Sequence, residues 1–266
     1  MRHTGSIAAR ELRAFFVSPV AYVVLTLWAV MAGTFFISNL AGFLTERDRA
    51  VQMQAFDYLS QLNLNDGLIL PFFGAMWIVL LFLLPAVTMG LFSADKANGT
   101  EELLLTSPVS IWDIVIGKFL AGVAFASLMI AVVAFFPGIL FVYGDPEAGK
   151  TLAGLLGLLL VSVTYVAVGA FVSAVTRSQL IAFVGALTLL LVMGVILPFI
   201  VKIGMGGASG AGGSWLVDVM DYVATGAHTE KLLGGLVDTA DMGYFAAVTA
   251  IFLCLTKAAV EAVRWR

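Results

Sequence analysis

One stretch of the sequence has the residue types and spacing of a phosphate-binding loop. Residues 144–151 read Gly-Asp-Pro-Glu-Ala-Gly-Lys-Thr, with Gly144, Gly149, Lys150 and Thr151 in the signature positions. In a true phosphate loop, successive backbone N–H groups cradle phosphate between a buried strand and a helix. Here Pro146 removes one N–H donor, and the two acidic residues would repel phosphate. We interpret the match as chance and expect this chain to bind no cofactor.

Other residues that commonly carry chemistry are few in this sequence. The chain contains one cysteine, Cys254, and two histidines, His3 and His228, which are far apart in sequence. A single cysteine excludes an intrachain disulfide, and so small a set of ligands disfavours a metal cluster. The net charge of −3 provides no basic patch for nucleic acid. We therefore predict no catalytic residues, no metal and no nucleic-acid partner.

The composition places the chain in a lipid bilayer. It is 61% hydrophobic and 12% charged, with a mean hydropathy of +1.03, whereas about a quarter of the residues of a soluble domain are charged. A membrane-spanning helix needs about 20 mostly apolar residues. Runs of this kind predict an all-α polytopic membrane protein with one transmembrane domain over residues 1–266. Its six helices are expected at about 19–41, 68–92, 112–143, 151–175, 179–201 and 242–262.

The distribution of lysine and arginine predicts the orientation. If both termini are cytoplasmic, the inner segments hold nine of these residues and the outer segments hold five. The positive-inside rule then favours an N-in, C-in topology. In the outer segment 46–66, Val51, Ala55, Leu59 and Leu62 recur at helical spacing, which predicts an amphipathic surface helix.

The inner segment between the second and third spans predicts a short helix. Asn98-Gly99 is a turn signal, and Thr100 has the side chain of a helix N-cap. Glu101 and Glu102 follow in the first turn, where the helix dipole favours acidic residues. Pro108 then ends the helix. We predict a helix over Glu101–Thr106 that lies across the cytoplasmic face, and an ordinary capped interfacial turn remains the alternative.

Two stretches resemble a known family. Residues 98–109, Asn-Gly-Thr-Glu-Glu-Leu-Leu-Leu-Thr-Ser-Pro-Val, followed by Gly117-Lys118-Phe119, resemble the type-2 ABC permease family, the membrane subunits of ABC exporters. Residues 10–22, Arg-Glu-Leu-Arg-Ala-Phe-Phe-Val-Ser-Pro-Val-Ala-Tyr, look like the gliding-motility-associated (GldF-like) branch, with NosY-like permeases as relatives. In the second stretch an apolar face stands opposite two arginines, as a surface-lying helix requires.

The resemblance implies a function for both stretches. The cytoplasmic coupling helix, which contacts the ATPase, falls on Thr100, Glu101, Glu102, Leu103, Leu104, Leu105 and Thr106. The N-terminal interfacial helix falls on 10–18 and includes Arg10, Leu12, Arg13, Phe15 and Phe16.

The same resemblance implies the partners. It implies a permease in the bacterial cytoplasmic (inner) membrane that forms the export pathway with a second copy or a paralogue. Two copies of a separate cytoplasmic ABC ATPase, which bind ATP and Mg, drive it, and membrane lipid surrounds it. An extracytoplasmic auxiliary subunit is left open.

Two other classes of function compete with a permease. An intramembrane enzyme needs ionisable pairs inside its spans, because charge in the bilayer is costly and usually functional. His3 and His228 have no evident paired partners in the sequence. An ion-coupled carrier needs buried carboxylates. The apolar runs that define the six predicted spans contain no carboxylate. The sequence therefore favours a transport subunit that receives its energy from outside the chain.

Overall fold

The computed structural model describes residues 2–100, 109–207, 219–220 and 222–264. The described residues form helices and contain no strand. Six helical segments are long and apolar enough to cross a membrane, and we call them the first to sixth spans: Pro19–Gln52, Asn65–Asn98, Ile111–Tyr143, Ala148–Val175, Gln179–Ile203 and Thr239–Ala262. This architecture confirms the predicted all-α polytopic membrane fold with six transmembrane helices. The N-in, C-in orientation stays a prediction.

An additional helix, Arg2–Val17, precedes the first span. It contains the predicted interfacial segment 10–18 except for the last residue, Ser18. The chain turns at Ser18, whose backbone is extended because the following residue is proline. Pro19 then begins the first span, where its missing N–H is no loss and its fixed φ suits a helix. The Ser18 hydroxyl accepts a hydrogen bond from the Val20 N–H at 3.3 Å. We call Arg2–Val17 the N-terminal helix.

Two spans are interrupted rather than continuous. The second span consists of a π-helical turn, Asn65–Ile69, a helix Leu70–Thr88, a break at Met89 and a helix Gly90–Asn98. The fifth span consists of the helix Gln179–Leu191, a π-helical turn Val192–Ile196 and the helix Leu197–Gly207. Such π-helical turns often lie at functional sites, because they change the direction of a helix without ending it.

The predicted amphipathic helix over 46–66 is wrong. No glycine or proline follows Gly42 before the turn, and the first-span helix continues to Gln52. A turn follows in which Gln54 has a φ of 54°, and a separate helix covers Phe56–Gln61. Across this turn Tyr58 donates a hydrogen bond to the Glu46 carboxylate, which raises the pKa of the Tyr58 phenol.

The fourth span is the centre of the bundle. In an apolar stretch of 18 residues within this span, 61% of the residues are buried. The corresponding share in the first, fifth and sixth spans is 22% each. Glycines allow its neighbours to approach closely: a Cβ at Gly154 would lie 2.6 Å from the Phe73 ring, and one at Gly169 would lie 2.7 Å from Thr88 Cβ. Small residues serve this purpose in membrane bundles, where close packing drives helix association.

A short helix, Thr225–Leu233, lies against the fourth span and the π-helical turn of the fifth span. A Cβ at Gly157 would lie 2.8 Å from Leu232 Cβ, and one at Gly226 would clash with the Gly194 carbonyl oxygen. Pro198 has no N–H and therefore donates no helical hydrogen bond to this carbonyl. The six predicted spans leave this part of the chain outside them, whereas the structure packs it against the bundle.

Alanine at Gly169 tests whether the crossing of the second and fourth spans stabilises the fold. Thr88 is fully buried and its hydroxyl donates to the Leu84 carbonyl at 2.8 Å, so that it has little room to move. We expect Gly169→Ala to lower the free energy of unfolding by about 1–3 kcal/mol, as overpacking does. The measurement is thermal unfolding in detergent. Gly138→Ala is the control, because a Cβ there meets no atom within 4 Å, and equal losses in the two variants would contradict the crossing.

Candidate functional site

The helix Gly90–Asn98 leads directly into the predicted coupling segment. It ends at Gly99, which has a φ of 71°, a left-handed conformation that glycine adopts without strain. The Thr100 N–H donates to the Asp95 carbonyl at 3.0 Å, and the Thr100 hydroxyl lies 3.2 Å from the Asp95 carboxylate. Of the predicted coupling residues, Glu101, Glu102, Leu103, Leu104, Leu105 and Thr106 lie outside the described residues. Thr100 is thus the last described position before them.

A buried lysine on the third span joins this helix to the N-terminal helix. Lys118 is 2% exposed, and its Nζ lies 2.7 Å from Asp95 Oδ2 and 3.3 Å from Glu11 Oε1. The same nitrogen donates to the Leu91 carbonyl at 2.6 Å and lies 5.4 Å from the centre of the Phe92 ring. Because a buried ion must be paired and hydrogen-bonded, three helices are held in one arrangement. We call these residues the Lys118 cluster.

A serine on the fourth span caps the same helix. The helix begins just after the break at Met89, so that its first N–H groups have no partner within the helix. The Ser173 hydroxyl accepts from the Phe92 and Ser93 N–H groups at 3.0 Å each, and donates to the Met89 carbonyl at 2.7 Å. A side chain from the fourth span thus provides hydrogen bonds for the backbone groups at the break in the second span. In addition, Lys96 donates to the Ala174 carbonyl.

The N-terminal helix packs against the third span through the residues of its predicted apolar face. The Phe15 ring centre lies 5.5 Å from that of Phe125, and the Phe16 ring centre lies 6.1 Å from it. Leu12 also packs against the core, whereas Arg10 and Arg13 are exposed. The helix therefore presents its charged face outward and has its apolar face against the bundle. Its Glu11 is shared between Lys118 and Arg10, which lies 2.8 Å from it.

The phosphate-loop match lies at the connection between the third and fourth spans. Gly144 caps the third span, and the fourth span begins at Ala148, so that Gly149, Lys150 and Thr151 are its first residues. Two carboxylates flank Lys150 Nζ, at 3.5 Å from Glu147 and 3.7 Å from Asp66. The Thr151 hydroxyl accepts from the Asn65 amide at 3.2 Å. Carboxylates occupy the surroundings that phosphate would need, which supports a chance match.

The structure also shows a histidine–aspartate pair that the sequence analysis missed. His228 Nδ1, on the short helix Thr225–Leu233, lies 2.5 Å from Asp241 Oδ1 near the start of the sixth span. Tyr244 stacks on the imidazole with ring centres 4.1 Å apart, and its hydroxyl donates to the Val223 carbonyl at 2.7 Å. The interpretation of His228 as lacking a paired partner is wrong, because the fold joins residues 13 positions apart.

This pair does not have the arrangement of a catalytic dyad. In a triad, the second ring nitrogen of the histidine faces the hydroxyl or thiol that it activates. Here His228 Nε2 lies 3.2 Å from the Tyr222 carbonyl oxygen, which has no proton to give. The described residues also contain no group of three metal-ligating side chains. We therefore interpret the pair as a structural link between the short helix and the sixth span.

Comparison with protein families identifies the class of this chain. The model of the ABC-2 family transporter protein matches residues 6–260, which is nearly the whole sequence. The chain belongs to this family, and it is a multi-pass membrane permease of an ABC transporter. A search of curated proteins finds no match to the chain.

Removal of the Lys118 charge should destabilise the protein. Lys118→Met leaves the carboxylates of Glu11 and Asp95 without their shared cation, and breaking a buried pair costs about 3–5 kcal/mol. Since both carboxylates keep partial exposure, we expect a loss of about 2–3 kcal/mol in unfolding experiments in detergent.

The matched control is Lys202→Met, because Lys202 and its partner Glu230 are both exposed. An exposed pair contributes less than about 1 kcal/mol. Adding Asp95→Asn to Lys118→Met should recover part of the stability, because one uncompensated charge is removed. A Lys118→Met protein as stable as the wild type would contradict the role of the cluster.

Proposed function

We propose that this chain forms the substrate pathway of an ABC exporter as a dimer, with a second copy or a paralogue. Two copies of a separate cytoplasmic ATPase, which bind ATP and Mg, drive it from the side of residues 99–110. The permease lies in a bacterial inner membrane with both termini in the cytoplasm. It belongs to the GldF-like branch of the family, on the strength of residues 10–22. Its own chain contributes no ATPase site.

The Lys118 cluster carries this proposal. A force applied to residues 101–106 acts on the helix Gly90–Asn98, whose end at Gly99 and Thr100 is fixed by hydrogen bonds to Asp95. Asp95 is paired with Lys118, so that the third span and the N-terminal helix must follow or lose a buried ion pair. Ser173 ties the same helix to the fourth span. One short helix can therefore pass motion to the centre of the bundle.

Residues 100–106 are the proposed contact with the ATPase. An isolated helix shorter than about 12–15 residues is marginal in water, so a helix of this length depends on docking against a neighbour. Leu103 and Leu104 are adjacent and point about 100° apart on a helix, so they cannot share one apolar surface. One of them is therefore available for a groove on the partner, and Glu101 or Glu102 can pair with a basic residue at its rim.

An ion-coupled carrier and an intramembrane enzyme receive less support. The buried charged residues of the described spans, Lys118 and Asp241, lie near span ends and are paired within the protein. A carrier would use a carboxylate deep in a span, where it can take up an ion. The buried hydroxyls of Ser162 and Thr164 donate to carbonyls of their own helix, whereas that of Ser173 donates to the Met89 carbonyl of the second span. An energy source outside the chain fits this arrangement better.

Labelling of single cysteines tests the topology on which the proposal depends. In a Cys254→Ala background, we expect a cysteine at Asn98 to react with a membrane-impermeant maleimide only from the cytoplasmic side. A cysteine at Met53, which is 78% exposed in the turn after the first span, should react only from the outside. The expectation follows from the positive-inside rule and the even number of spans. The reverse pattern would place the coupling segment on the wrong side of the membrane and end the proposal.

Charged residues in the predicted coupling helix should disrupt the partnership. Burial of one leucine side chain contributes about 1.5–3 kcal/mol, so that Leu103→Asp with Leu104→Asp should weaken ATPase binding at least tenfold or uncouple hydrolysis from transport. The measurements are co-purification of the ATPase and substrate-stimulated ATP hydrolysis by the complex.

The control for this substitution is Leu236→Asp, which changes an exposed leucine in a different part of the chain. Both variants should insert and purify as the wild type does, since none of the substituted leucines lies within a span. If the double variant retained wild-type recruitment and coupling, the segment would be an ordinary interfacial turn.

A further inference from the structure

An apolar slot lies between the first and third spans at the end where the third span stops. It has a volume of about 540 Å³. Its first wall is one face of the first-span helix, since its residues recur at steps of three and four. Its second wall is the last turn of the third span. The lining residues are Phe36, Leu40, Phe43, Leu44, Arg47, Leu64, Ile139, Leu140, Tyr143 and Gly144.

The depth of the slot matches one leaflet of a bilayer. Phe36 and Arg47 are eleven residues apart on one helix, which corresponds to about 16 Å at 1.5 Å per residue. The hydrocarbon core of a bilayer is about 30 Å thick, so that one leaflet is about 15 Å deep. Phe36 closes the deep end, where its ring packs against Phe72 and Phe136 with centres 5.5 and 5.3 Å apart. The slot therefore has the length of one acyl chain.

The rim of the slot has a positive charge. Arg47 is exposed, and the described part of the chain provides it with no salt bridge. The neighbouring Glu46 carboxylate accepts a hydrogen bond from Tyr58 instead. Tyr143 is 86% exposed at the same rim, where its phenol can donate a hydrogen bond. A guanidinium binds phosphate with paired hydrogen bonds, and tyrosine and arginine commonly lie at headgroup level.

We propose that this slot binds an anionic phospholipid. The phosphate lies at Arg47 with a hydrogen bond from Tyr143, and one acyl chain lies along Leu40, Leu44 and Ile139. A helix of a partner protein fits less well, because it would have to bring its own carboxylate to Arg47. Basic pockets between transmembrane helices on the cytoplasmic side of a membrane bind acidic lipid headgroups, and this slot has the same combination of charge and apolar surface at the outer end predicted for the first span.

Lipid binding to the purified, delipidated protein tests the proposal by native mass spectrometry. The probes are phosphatidylglycerol and the zwitterionic phosphatidylcholine with identical acyl chains. We expect wild-type protein to prefer phosphatidylglycerol, and Arg47→Ala to weaken its binding about tenfold while leaving phosphatidylcholine unchanged. Arg49→Ala is the matched control, since Arg49 is an exposed arginine on the same helix outside the slot lining, and it should bind as the wild type does.

A second variant tests the apolar part of the slot. Leu40→Trp fills the slot with a larger side chain. It should weaken the binding of both lipids, because the acyl chain no longer fits. Arg47→Lys keeps the charge without the paired hydrogen bonds and should retain part of the preference for phosphatidylglycerol.

Equal binding of phosphatidylglycerol by wild type and Arg47→Ala would overturn the proposal. So would an equal loss in Arg47→Ala and Arg49→Ala, which would show only a general attraction of anionic lipid to basic residues. If Leu40→Trp dissociated a dimer of this chain without changing lipid binding, the slot would be an interface between copies and the proposal would be wrong.

Discussion

A lysine ammonium that is removed from water must have its charge balanced, and this requirement organises one end of the bundle. The desolvation penalty of a buried ion amounts to several kcal/mol, so that Lys118 is tolerated only with carboxylates and a carbonyl around it. Those groups come from different helices: Glu11 from the N-terminal helix, and Asp95 and the Leu91 carbonyl from the end of the second span. None of these helices can move far alone without leaving a buried charge unpaired.

The break in the second span is the feature that makes this restraint useful. Met89 keeps helical dihedral angles but interrupts the helical hydrogen bonds, so that Gly90–Asn98 is a separate helix from Leu70–Thr88. Ser173 satisfies the N–H groups that the break leaves open, so that the short helix is attached to the fourth span. The Gly169 crossing with Thr88 lies one helical turn away on the same span. A displacement of the short helix is therefore passed directly to the most buried span.

The sequence predicted the spans because length and apolarity alone decide whether a helix crosses a bilayer. It could not predict the partners of Lys118, because only the fold brings residue 11 and residue 95 to residue 118. His228 and Asp241 are close in sequence, yet the nine-residue helix that carries His228 is short and rich in polar residues, so that length and apolarity gave no sign of its burial. The 46–66 prediction failed for a different reason. Its apolar spacing was real, but the left-handed Gln54 ends one helix and begins another within the pattern.

The two polar ends of the bundle differ in the kind of motion they permit. The pair of His228 and Asp241 joins elements next to each other in sequence, so that its loss would loosen only the short helix and the start of the sixth span. Lys118 joins elements far apart in sequence, so that its movement affects the N-terminal helix and three spans. Between these ends, the buried hydroxyls of Ser162 and Thr164 carry no charge and donate to carbonyls of their own helix, and Thr164 also contacts the Thr249 hydroxyl of the sixth span. We therefore expect force to act at an end of the bundle. The Lys118 end is the one from which a displacement reaches the N-terminal helix and three spans. This arrangement favours the proposed partner ATPase over an ion gradient as the source of energy.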